Sequence, residues 1–475
     1  MQKIQNFING EYVDPIQGKY IDDIEPGTGK VFAQIPNSTK EDLDQAVEAA
    51  KEAFPVWSTM SVDKRSKIMH TLADLIEKNL DDYALMESRD NGKPLWLAKA
   101  VDIPRASTNF RFYASAIVNF SSEAQVSEGF MVNYTRRAPI GIVGCISPWN
   151  LPLYLFSWKI APALAMGNCV IAKPSELTPM TAFLLGKLAN EAGMPPGVLN
   201  ILHGEGKGIG QAIVEHEATK AISFTGGTTT GKIVGATAAQ QFKKVSLELG
   251  GKNPNIIFAD CDLDEAVKTS VKSSFTNQGE ICLCGSRILI EESIYDEFKK
   301  RFLAECKKIV VGDPMDPKST MGALVSSDHL DKVDSYVKLA REEGGTILSG
   351  GRRIDREGFY YEPTVIEGLD ENCRTNQEEI FGPVVTLNPF KGEEDAIRIA
   401  NSTRYGLSCT IWTSNLKQAH RVSHAVQSGI IWVNCWLVRD LRTPFGGMKD
   451  SGIGREGGND ALRFFSEPQN VCIKL

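Results

Sequence analysis

Three side chains in the middle of the chain are of the types that perform covalent chemistry on a carbonyl group. Cys282 stands at the junction of a predicted helix and a predicted strand, where a thiol can be exposed in a cleft. Glu248 lies in an otherwise apolar strand, and apolar surroundings can prepare a carboxylate to act as a general base. Asn150 follows a predicted strand, where its side-chain amide could donate to a developing oxyanion.

Each of these residues also has a purely structural interpretation. Cys282 could be a packed thiol, Glu248 could pair with a nearby Lys or Arg, and Asn150 could cap the next helix. Cys284 lies two residues beyond Cys282, but this spacing alone identifies neither a metal site nor a redox pair. The sequence has ten cysteines and no pair of C-x-x-C motifs, so we expect no metal and no disulfide scaffold.

Two glycine-rich segments follow predicted strands, and each departs from a standard phosphate-binding motif. The segment 204–210 lacks the spacing G-x-G-x-x-G. The segment 226–232 matches most of a P-loop, but Ile233 stands where a Ser or Thr hydroxyl would contact Mg²⁺. What remains is a strand followed by glycines and a helix N-terminus, which suits the pyrophosphate of a dinucleotide.

The elements that must position these residues alternate between strand and helix. This alternation predicts an α/β fold with a parallel, doubly wound sheet that binds ligands at the carboxyl ends of its strands. The first predicted elements are strands 141–146, 169–172, 198–202 and 221–224 and helices 180–192 and 209–215. A second alternation from 255 to 434 predicts a second α/β domain, with helix 263–275, strand 287–291 and helix 294–308.

Two extended segments, Met131 to Arg137 and Asn470 to Leu475, fit neither alternation. Strands of this kind at the end of a chain often pair with another subunit. We therefore predict that these segments mediate oligomerisation by pairing between subunits.

Length and charge exclude several classes of protein. A chain of 475 residues is too long for one core, so two or three domains are expected. The net charge of -7, without basic runs, argues against nucleic-acid and anionic-membrane partners. The polar N-terminus does not resemble a signal peptide, and apolar stretches such as Ile160 to Ala165 are far shorter than the roughly 20 residues of a membrane span. We expect a cytoplasmic protein.

Taken together, the segments resemble the aldehyde dehydrogenase superfamily over nearly the whole chain. Any one motif is weak evidence, but seven in register leave little room for coincidence. The motifs, in the expected order, are Ser147-Pro148-Trp149-Asn150, Lys173-Pro174-Ser175-Glu176, Phe224-Thr225-Gly226-Gly227, Leu247-Glu248-Leu249-Gly250-Gly251, Gly279-Glu280-Ile281-Cys282, Glu378-Glu379-Ile380-Phe381-Gly382-Pro383 and Pro444-Phe445-Gly446-Gly447.

The resemblance implies the aldehyde dehydrogenase fold. In that fold a Rossmann-like domain binding NAD would span 1–118 and 140–249, and an α/β catalytic domain would span 250–445. A small β domain for oligomerisation would comprise 119–139 and 465–475. A homo-oligomer, either a dimer or a tetramer, is expected.

The resemblance also implies that the protein oxidises an aldehyde to an acid through a cysteine thioester, with NAD as cofactor. Cys282 then corresponds to the nucleophile and Glu248 to the base that activates the deacylating water. Asn150 and the backbone N–H of Cys282 correspond to the oxyanion hole. Residues that match contacts to the cofactor are Ser147, Trp149, Lys173, Glu176, Gly227, Glu379 and Phe381.

Three of these cofactor positions have specific expectations. Lys173 and Glu176 match residues that hold the adenine ribose, and a 2′-phosphate would be repelled by Glu176, so NAD should be preferred to NADP. Glu379 matches the residue that holds the nicotinamide ribose. Relatives commonly carry Ser where this chain has Gly227, which puts one side-chain hydrogen bond to the pyrophosphate in doubt.

A narrower resemblance links the chain to the 2-aminomuconic and 2-hydroxymuconic semialdehyde dehydrogenases, which act in tryptophan and aromatic-ring breakdown. Their substrates carry a carboxylate, and Arg105 and Arg439 are expected to bind it, because Arg can grip a carboxylate with two hydrogen bonds. Arg442 is the local competitor for Arg439. The segments that carry this resemblance are 102–105, 279–284 and 434–442.

Three other functions compete with this one. A broad-specificity aldehyde dehydrogenase for retinal, betaine or aliphatic aldehydes would need an apolar tunnel mouth, which two arginines would disrupt. A CoA-acylating enzyme is disfavoured because Glu248 favours water as acyl acceptor. A non-catalytic structural or binding protein on the same fold would be free to lose Cys282, Glu248 or Asn150, and all three are present.

Overall fold

The computed structural model describes residues 2–475, and two large mixed β-sheets form its centre. The α-helices of the described residues are Lys40–Thr59, Val62–Lys78, Leu80–Asn91, Leu95–Leu97, Ile103–Val118, Pro152–Ala165, Met180–Glu191, Gln211–Glu215, Thr228–Gln240, Leu263–Phe275, Tyr295–Cys306, Ser327–Glu342, Arg374–Gln377, Gly392–Asn401, Leu416–Ala425 and Gly458–Phe464. The 3₁₀ turns are Thr276–Gly279 and Glu292–Ile294, and π-helical turns occupy Ala98–Asp102 and Gly206–Gly210.

The first sheet has eight strands, of which the five central ones are parallel and the three outer ones antiparallel. Its central strands are short and apolar, and most of their residues are buried, which is typical of a parallel sheet covered on both faces. In spatial order the strands are Gly452–Ile453, Lys244–Glu248, Thr219–Thr225, Ile142–Ile146, Cys169–Lys173, Leu199–Ile201, Asn6–Ile8 and Glu11–Val13.

The second sheet has seven strands, and all but one edge strand are parallel. The helix Leu263–Phe275 and the strand Arg287–Glu291 have the bounds predicted from the sequence. In spatial order the strands are Thr346–Ser349, Thr364–Glu367, Val384–Phe390, Arg287–Glu291, Pro254–Ile257, Ser408–Trp412 and Ile430–Val433. The predicted α/β fold with two sheets is confirmed.

Three small sheets complete the fold. The first contains Gln2–Lys3, Lys30–Pro36 and Tyr20–Glu25, and the second pairs Tyr405–Gly406 with Met448–Lys449. The third, which we call the terminal sheet, contains Ser466–Lys474, Met131–Pro139 and Ala124–Ser127.

The terminal sheet corrects one prediction from the sequence. Ser466–Lys474 and Met131–Pro139 pair with each other in the same chain, antiparallel from Ser466↔Pro139 to Lys474↔Met131. The prediction that these two segments find their strand partners in another subunit is therefore wrong. Ser466–Lys474 is an edge strand, however, so its outer edge has no strand partner within residues 2–475.

The helix Pro152–Ala165 lies at the centre of the molecule, and every one of its residues is buried. A helix that is buried on all sides must be surrounded by other elements of the protein, and the helix Ile103–Val118 is one of them. Lys93 forms a fully buried ion pair with Asp102 beside this layer, with 2.7 Å between Nζ and Oδ2. Across residues 2–475, none of the helices is sufficiently long and apolar to span a membrane.

Deletion of 470–475 should destabilise the terminal sheet. It removes the pairs from Asn470↔Thr135 to Lys474↔Met131 and leaves backbone groups of Met131–Pro139 without partners. We expect smaller assemblies or aggregation in size-exclusion chromatography with light scattering, and a lower melting temperature. Deletion of Leu475 alone, which removes one backbone hydrogen bond to Phe130, is the control. An unchanged assembly after the long deletion would contradict the prediction.

Candidate active site

The strand order of the first sheet creates a crevice between two neighbouring strands. Ile142–Ile146 and Thr219–Thr225 are parallel neighbours. The strand that follows the first lies towards one edge of the sheet, and the strand that follows the second lies towards the other edge. Ligands bind at such a reversal, just outside the carboxyl ends of the strands. The residues that follow these two ends are 147–150 and 226–227, and one cavity is lined from both segments.

The second sheet contributes from the opposite ends of its strands. Gly250 precedes the strand Pro254–Ile257, Cys282 precedes Arg287–Glu291, and Glu379 precedes Val384–Phe390. All three residues line the same cavity as the loops of the first sheet. The site therefore lies between the carboxyl ends of one sheet and the amino ends of the other.

The loop that carries Cys282 has an unusual backbone. Asn277, Gln278 and Gly279 all adopt left-handed conformations, with φ of 52°, 57° and 71°. A Cβ at Gly279 would lie 2.3 Å from the carbonyl oxygen of Gly382, so only glycine fits. The side chain of Asn253 holds the far side of the loop by donating to the carbonyl oxygen of Cys282 at 2.7 Å.

Cys282 is half-buried and lies where two cavities meet. The first, which we call the cofactor cavity, has a volume of about 250 Å³. The second, which we call the substrate cavity, has a volume of about 350 Å³ and is lined mainly by apolar and aromatic side chains. A thiol in this position can react with a molecule in one cavity while a second molecule occupies the other.

Burial raises the pKa of the Cys282 thiol well above its usual range, and the carboxylates of Glu379 and Glu248 raise it further. Arg439 acts in the opposite direction. These effects disfavour the thiolate, so the thiol proton must be removed before the sulfur can attack a carbonyl carbon.

Asn150 is almost completely buried and does not cap the next helix, whose N-cap is Leu151. Its side-chain nitrogen donates to the carbonyl oxygen of Glu280 at 2.9 Å, two residues before Cys282. Its backbone carbonyl accepts from the buried Lys93 ammonium at 3.1 Å. An amide nitrogen carries two hydrogens, so one N–H remains for a ligand in the cofactor cavity.

Glu248 is buried, and neither of its carboxylate oxygens has a hydrogen-bond partner within residues 2–475. The structural interpretation, a Glu paired with a basic residue, therefore does not apply. Burial raises the pKa of Glu248 well above its usual range, and the nearby carboxylate of Glu456 adds to this effect. Glu456 itself pairs with the buried Lys159 at 2.8 Å. A desolvated, unpaired carboxyl group is suited to exchange protons with water.

The residues of the cofactor cavity fit a dinucleotide. Gly227 is the N-cap of the helix Thr228–Gln240, and a Cβ there would meet no atom within 4 Å, so a phosphate can approach the helix N-terminus. Ser147 does not line the cavity itself but directly precedes the lining residues 148–150, and its hydroxyl is buried without a partner among the described residues. Glu379 lines the far end and accepts from the backbone N–H of Gly251 at 2.9 Å.

Aromatic rings form one wall of this cavity. The rings of Trp149 and Phe381 meet edge to face, with 5.2 Å between their centres. Phe381 has a φ of 62°, a strained conformation for a bulky residue that is common at ligand sites.

Lys173 and Glu176 form an ion pair at the carboxyl end of the strand Cys169–Lys173, with 2.9 Å between Nζ and Oε2. Burial pushes the pKa of Glu176 upward, but Lys173 and local hydrogen bonds outweigh it, and the net pKa is lowered. Glu176 is thus an ionised acceptor, which suits ribose hydroxyls and disfavours a phosphate.

Two residues of the cofactor cavity were not predicted from the sequence. His329 and Lys332 belong to the helix Ser327–Glu342 and line the cavity beside Glu379 and Phe381. His329 is bonded through Nε2 to the carbonyl oxygen of Phe381 at 2.6 Å, and burial lowers its pKa to about 4. No glycine-rich or acidic motif marks this helix, so its contribution to the cavity could not be predicted from sequence.

Arg439 lines the substrate cavity together with Cys282. Its guanidinium lies 4.0 Å from the centre of the Phe445 ring and 5.1 Å from that of Trp158. Arg442, the competing candidate, is exposed and pairs with Asp440, so it is not part of the cavity wall.

Arg105 belongs to the same cationic cluster but does not line the cavity. It is half-buried, with its guanidinium 5.6 Å from the centre of the Trp158 ring. Its Nη2 is buried without a hydrogen-bond partner, and no described carboxylate forms an ion pair with either Arg105 or Arg439. Burial, with a contribution from Arg439, lowers the pKa of Arg105.

Comparisons with known proteins agree with this geometry. Residues 12–471 match the model of the aldehyde dehydrogenase family. The chain is 50% identical to the 2-aminomuconic semialdehyde dehydrogenase of Mus musculus, covering 99% of this chain and 98% of the relative. It is 44% identical to the 2-hydroxymuconic semialdehyde dehydrogenase of Pseudomonas sp. (strain CF600), with all of both chains covered.

A solved structure is also similar over the whole chain. An aldehyde dehydrogenase from Bacillus cereus in complex with NAD⁺ is 38% identical, with a TM-score of 0.98, covering 100% of this chain and 97% of that one. The chain belongs to the aldehyde dehydrogenase family. It is an NAD-dependent aldehyde dehydrogenase, as its cofactor cavity and family together require.

The carboxylate of Glu176 should make the enzyme prefer NAD. We expect kcat/KM to be higher with NAD than with NADP, because a 2′-phosphate would be repelled by Glu176. Glu176→Gln should reduce this preference by roughly tenfold, which corresponds to about 1.4 kcal/mol. Glu205→Gln, an exposed carboxylate in the neighbouring glycine-rich segment, is the control. Equal use of the two cofactors by the unmodified enzyme would contradict the assignment.

Proposed function

We propose that this enzyme oxidises 2-aminomuconic 6-semialdehyde, or the close 2-hydroxymuconic analogue, to the dicarboxylic acid in tryptophan or aromatic-ring breakdown. The observation that carries the proposal is Arg439, a cation without a carboxylate partner among the described residues, in one cavity with the thiol of Cys282. A buried or half-buried guanidinium needs an anion, and a semialdehyde with a terminal carboxylate supplies one.

Two further observations support this substrate class. Arg105, whose Nε donates to Asn109 at 3.0 Å, adds a second guanidinium without a carboxylate partner to the cluster around the Trp158 ring, so the positive potential extends behind the cavity wall. The relatives from Mus musculus and Pseudomonas are named for muconic semialdehydes with an amino or a hydroxyl group. A broad-specificity enzyme for uncharged aldehydes would have no use for unpaired cations in this position.

The first half of the reaction forms the thioester. The Cys282 thiol first gives its proton to a water molecule, and the resulting thiolate attacks the aldehyde carbon. The carbonyl π bond breaks as the C–S bond forms, and the oxygen of the tetrahedral adduct accepts hydrogen bonds from the Asn150 amide and the backbone N–H of Cys282. Gly227 and Glu379 would help to hold NAD, which would supply the hydride acceptor for that carbon. The carbon is then held as a thioester on Cys282.

The second half hydrolyses this thioester. Glu248 takes a proton from water, the water oxygen bonds to the acyl carbon, and the bond between that carbon and the Cys282 sulfur breaks. Because burial raises the pKa of Glu248, the carboxylate is a stronger base than an exposed glutamate. The proton then passes from Glu248 to the Cys282 sulfur, which restores the thiol and the carboxylate, and the acid leaves through the substrate cavity.

We also propose the domain division and the homo-oligomer expected from the sequence. The NAD-binding domain spans 1–118 and 140–249, the catalytic domain spans 250–445, and the segments 119–139 and 465–475 form the oligomerisation domain. The terminal sheet supports a role in oligomerisation because large apolar side chains, including Val126, Phe130 and Ile473, are exposed there.

We further propose a cytoplasmic location, which is supported by the ten cysteines, all of which are free thiols.

Substitution of the nucleophile and substitution of the base should have different effects on the reaction. Cys282→Ala should abolish turnover and leave NAD binding intact, because the bond-forming atom is lost. Glu248→Gln should slow hydrolysis, so that an acyl-enzyme accumulates and is visible by intact mass after mixing with substrate and NAD. Substantial dehydrogenase activity in Cys282→Ala would show that another residue is the nucleophile. Normal turnover in Glu248→Gln would assign the base elsewhere.

Arg439→Met should raise KM for a carboxylate-bearing semialdehyde by roughly ten- to a hundredfold, since a hydrogen bond to a charged group contributes about 1.5–3 kcal/mol. An uncharged aldehyde of similar length should be almost unaffected. Arg105→Met should have the same selective effect, but a smaller one, because Arg105 does not line the cavity.

Arg442→Met, in the same loop but exposed and paired with Asp440, is the matched control and should behave like the unmodified enzyme. Equal losses on both substrates in Arg439→Met would point to damage to the fold, and would leave the charge without a role in substrate selection.

A further inference from the structure

Tyr154 occupies the first turn of the buried helix Pro152–Ala165, a few residues after Asn150. The side chain is only 7% exposed and lines the substrate cavity with Cys282 and Arg439. Because the helix is enclosed on all sides, the polar end of this tyrosine can interact only with neighbouring side chains or with a molecule in the cavity.

The hydroxyl of Tyr154 is paired on one side only. Nη1 of Arg439 donates to the phenol oxygen at 3.0 Å. A guanidinium has donors but no acceptor, so the hydroxyl is the acceptor in this bond and keeps its own hydrogen. Within residues 2–475 that hydrogen has no protein acceptor at hydrogen-bond distance.

The surroundings of this O–H group are cationic. The Arg105 guanidinium lies 5.0 Å from the centre of the Tyr154 ring, and Arg439 touches the hydroxyl itself. Neither arginine forms an ion pair with any described carboxylate. A free donor beside two such cations, on the wall of a cavity, is complementary to an anionic acceptor.

We propose that Tyr154 is a specificity-determining residue whose hydroxyl donates a hydrogen bond directly to the substrate carboxylate that Arg439 binds. This inference rests on the proposed function of Arg439. It identifies the anion site as a composite of one guanidinium and one phenol, with Arg105 contributing charge from behind the Tyr154 ring. An uncharged aldehyde offers no acceptor there and gains nothing from the hydroxyl.

A purely structural role for Tyr154 is the alternative. Its ring packs against Arg105, its backbone carbonyl accepts from Asn109 at 3.1 Å, and its hydroxyl could serve only to orient Arg439. Removal of the hydroxyl in Tyr154→Phe keeps the ring and the backbone contact, so this substitution separates the polar group from the packing.

The test compares Tyr154→Phe with the unmodified enzyme on two substrates, a carboxylate-bearing semialdehyde and an uncharged aldehyde of similar length. We expect kcat/KM for the charged substrate to fall by roughly ten- to a hundredfold, mainly through KM, and the value for the uncharged one to stay within about twofold.

Tyr113→Phe is the matched control. Tyr113 packs against the same Trp158 ring, with 5.7 Å between ring centres, but it does not line the cavity. This variant should act on both substrates like the unmodified enzyme. An equal loss on both substrates in Tyr154→Phe, or no loss on either, would overturn the proposal.

A double-mutant cycle separates direct donation from positioning. If the hydroxyl contacts the substrate, Tyr154→Phe should still weaken binding of the charged substrate in an Arg439→Met background. If the hydroxyl acts only by orienting Arg439, the second substitution will have no effect there, and the direct contact is refuted. Failure of the proposed function would look different, because the unmodified enzyme itself would then show no preference for the charged aldehyde.

Discussion

The close packing of the Cys282 loop against the loop at Gly382 is the constraint on which the rest of the site depends. Left-handed backbone at Asn277 and Gln278 costs on the order of 1–3 kcal/mol each, and it persists because the surrounding contacts leave no alternative. The same loop presents the Glu280 carbonyl to the Asn150 amide. One strained segment therefore positions both the thiol and the group expected to hold the oxyanion, and it does so between two sheets that have no strands in common.

Burial then determines the electrostatics of this centre. It raises the pKa of Cys282 and of Glu248, because desolvation disfavours the charged form of both groups. The substrate cavity differs from this centre because it contains a permanent charge. The guanidinium of Arg439 is cationic and has no counter-ion among the described residues. Leaving a partly buried charge unpaired costs stability, on the order of several kcal/mol when burial is complete. A substrate carboxylate bound to Arg439 would remove that cost. The same unpaired charge would therefore destabilise the free enzyme and favour a substrate that carries a carboxylate.

The first sheet and the motif residues could be predicted from the sequence because both depend on local pattern. The apolar run Ile142–Ile146 is too short for a typical buried helix and therefore favours a buried strand, and a crevice at its carboxyl end follows from the α/β alternation. Long-range pairing could not be predicted in the same way. Extended residues identify Asn470 to Leu475 as a strand but do not say whether its partner lies in the same chain. His329 entered the site only through the packing of its helix against Trp149, a tertiary contact without any signal in sequence.

Gly227 shows how a departure from the family pattern can be tolerated. Nothing within 4 Å of the position excludes a serine side chain, so the glycine is not required by sterics. Without a hydroxyl, position 227 would offer a pyrophosphate no side-chain hydrogen bond, and a hydrogen bond to a charged group contributes about 1.5–3 kcal/mol. The helix Thr228–Gln240 still directs its first backbone N–H groups and the positive end of its dipole at the same place. These groups depend on the backbone of a 13-residue helix rather than on one side chain, so the helix N-terminus can still receive a phosphate without a hydroxyl at position 227.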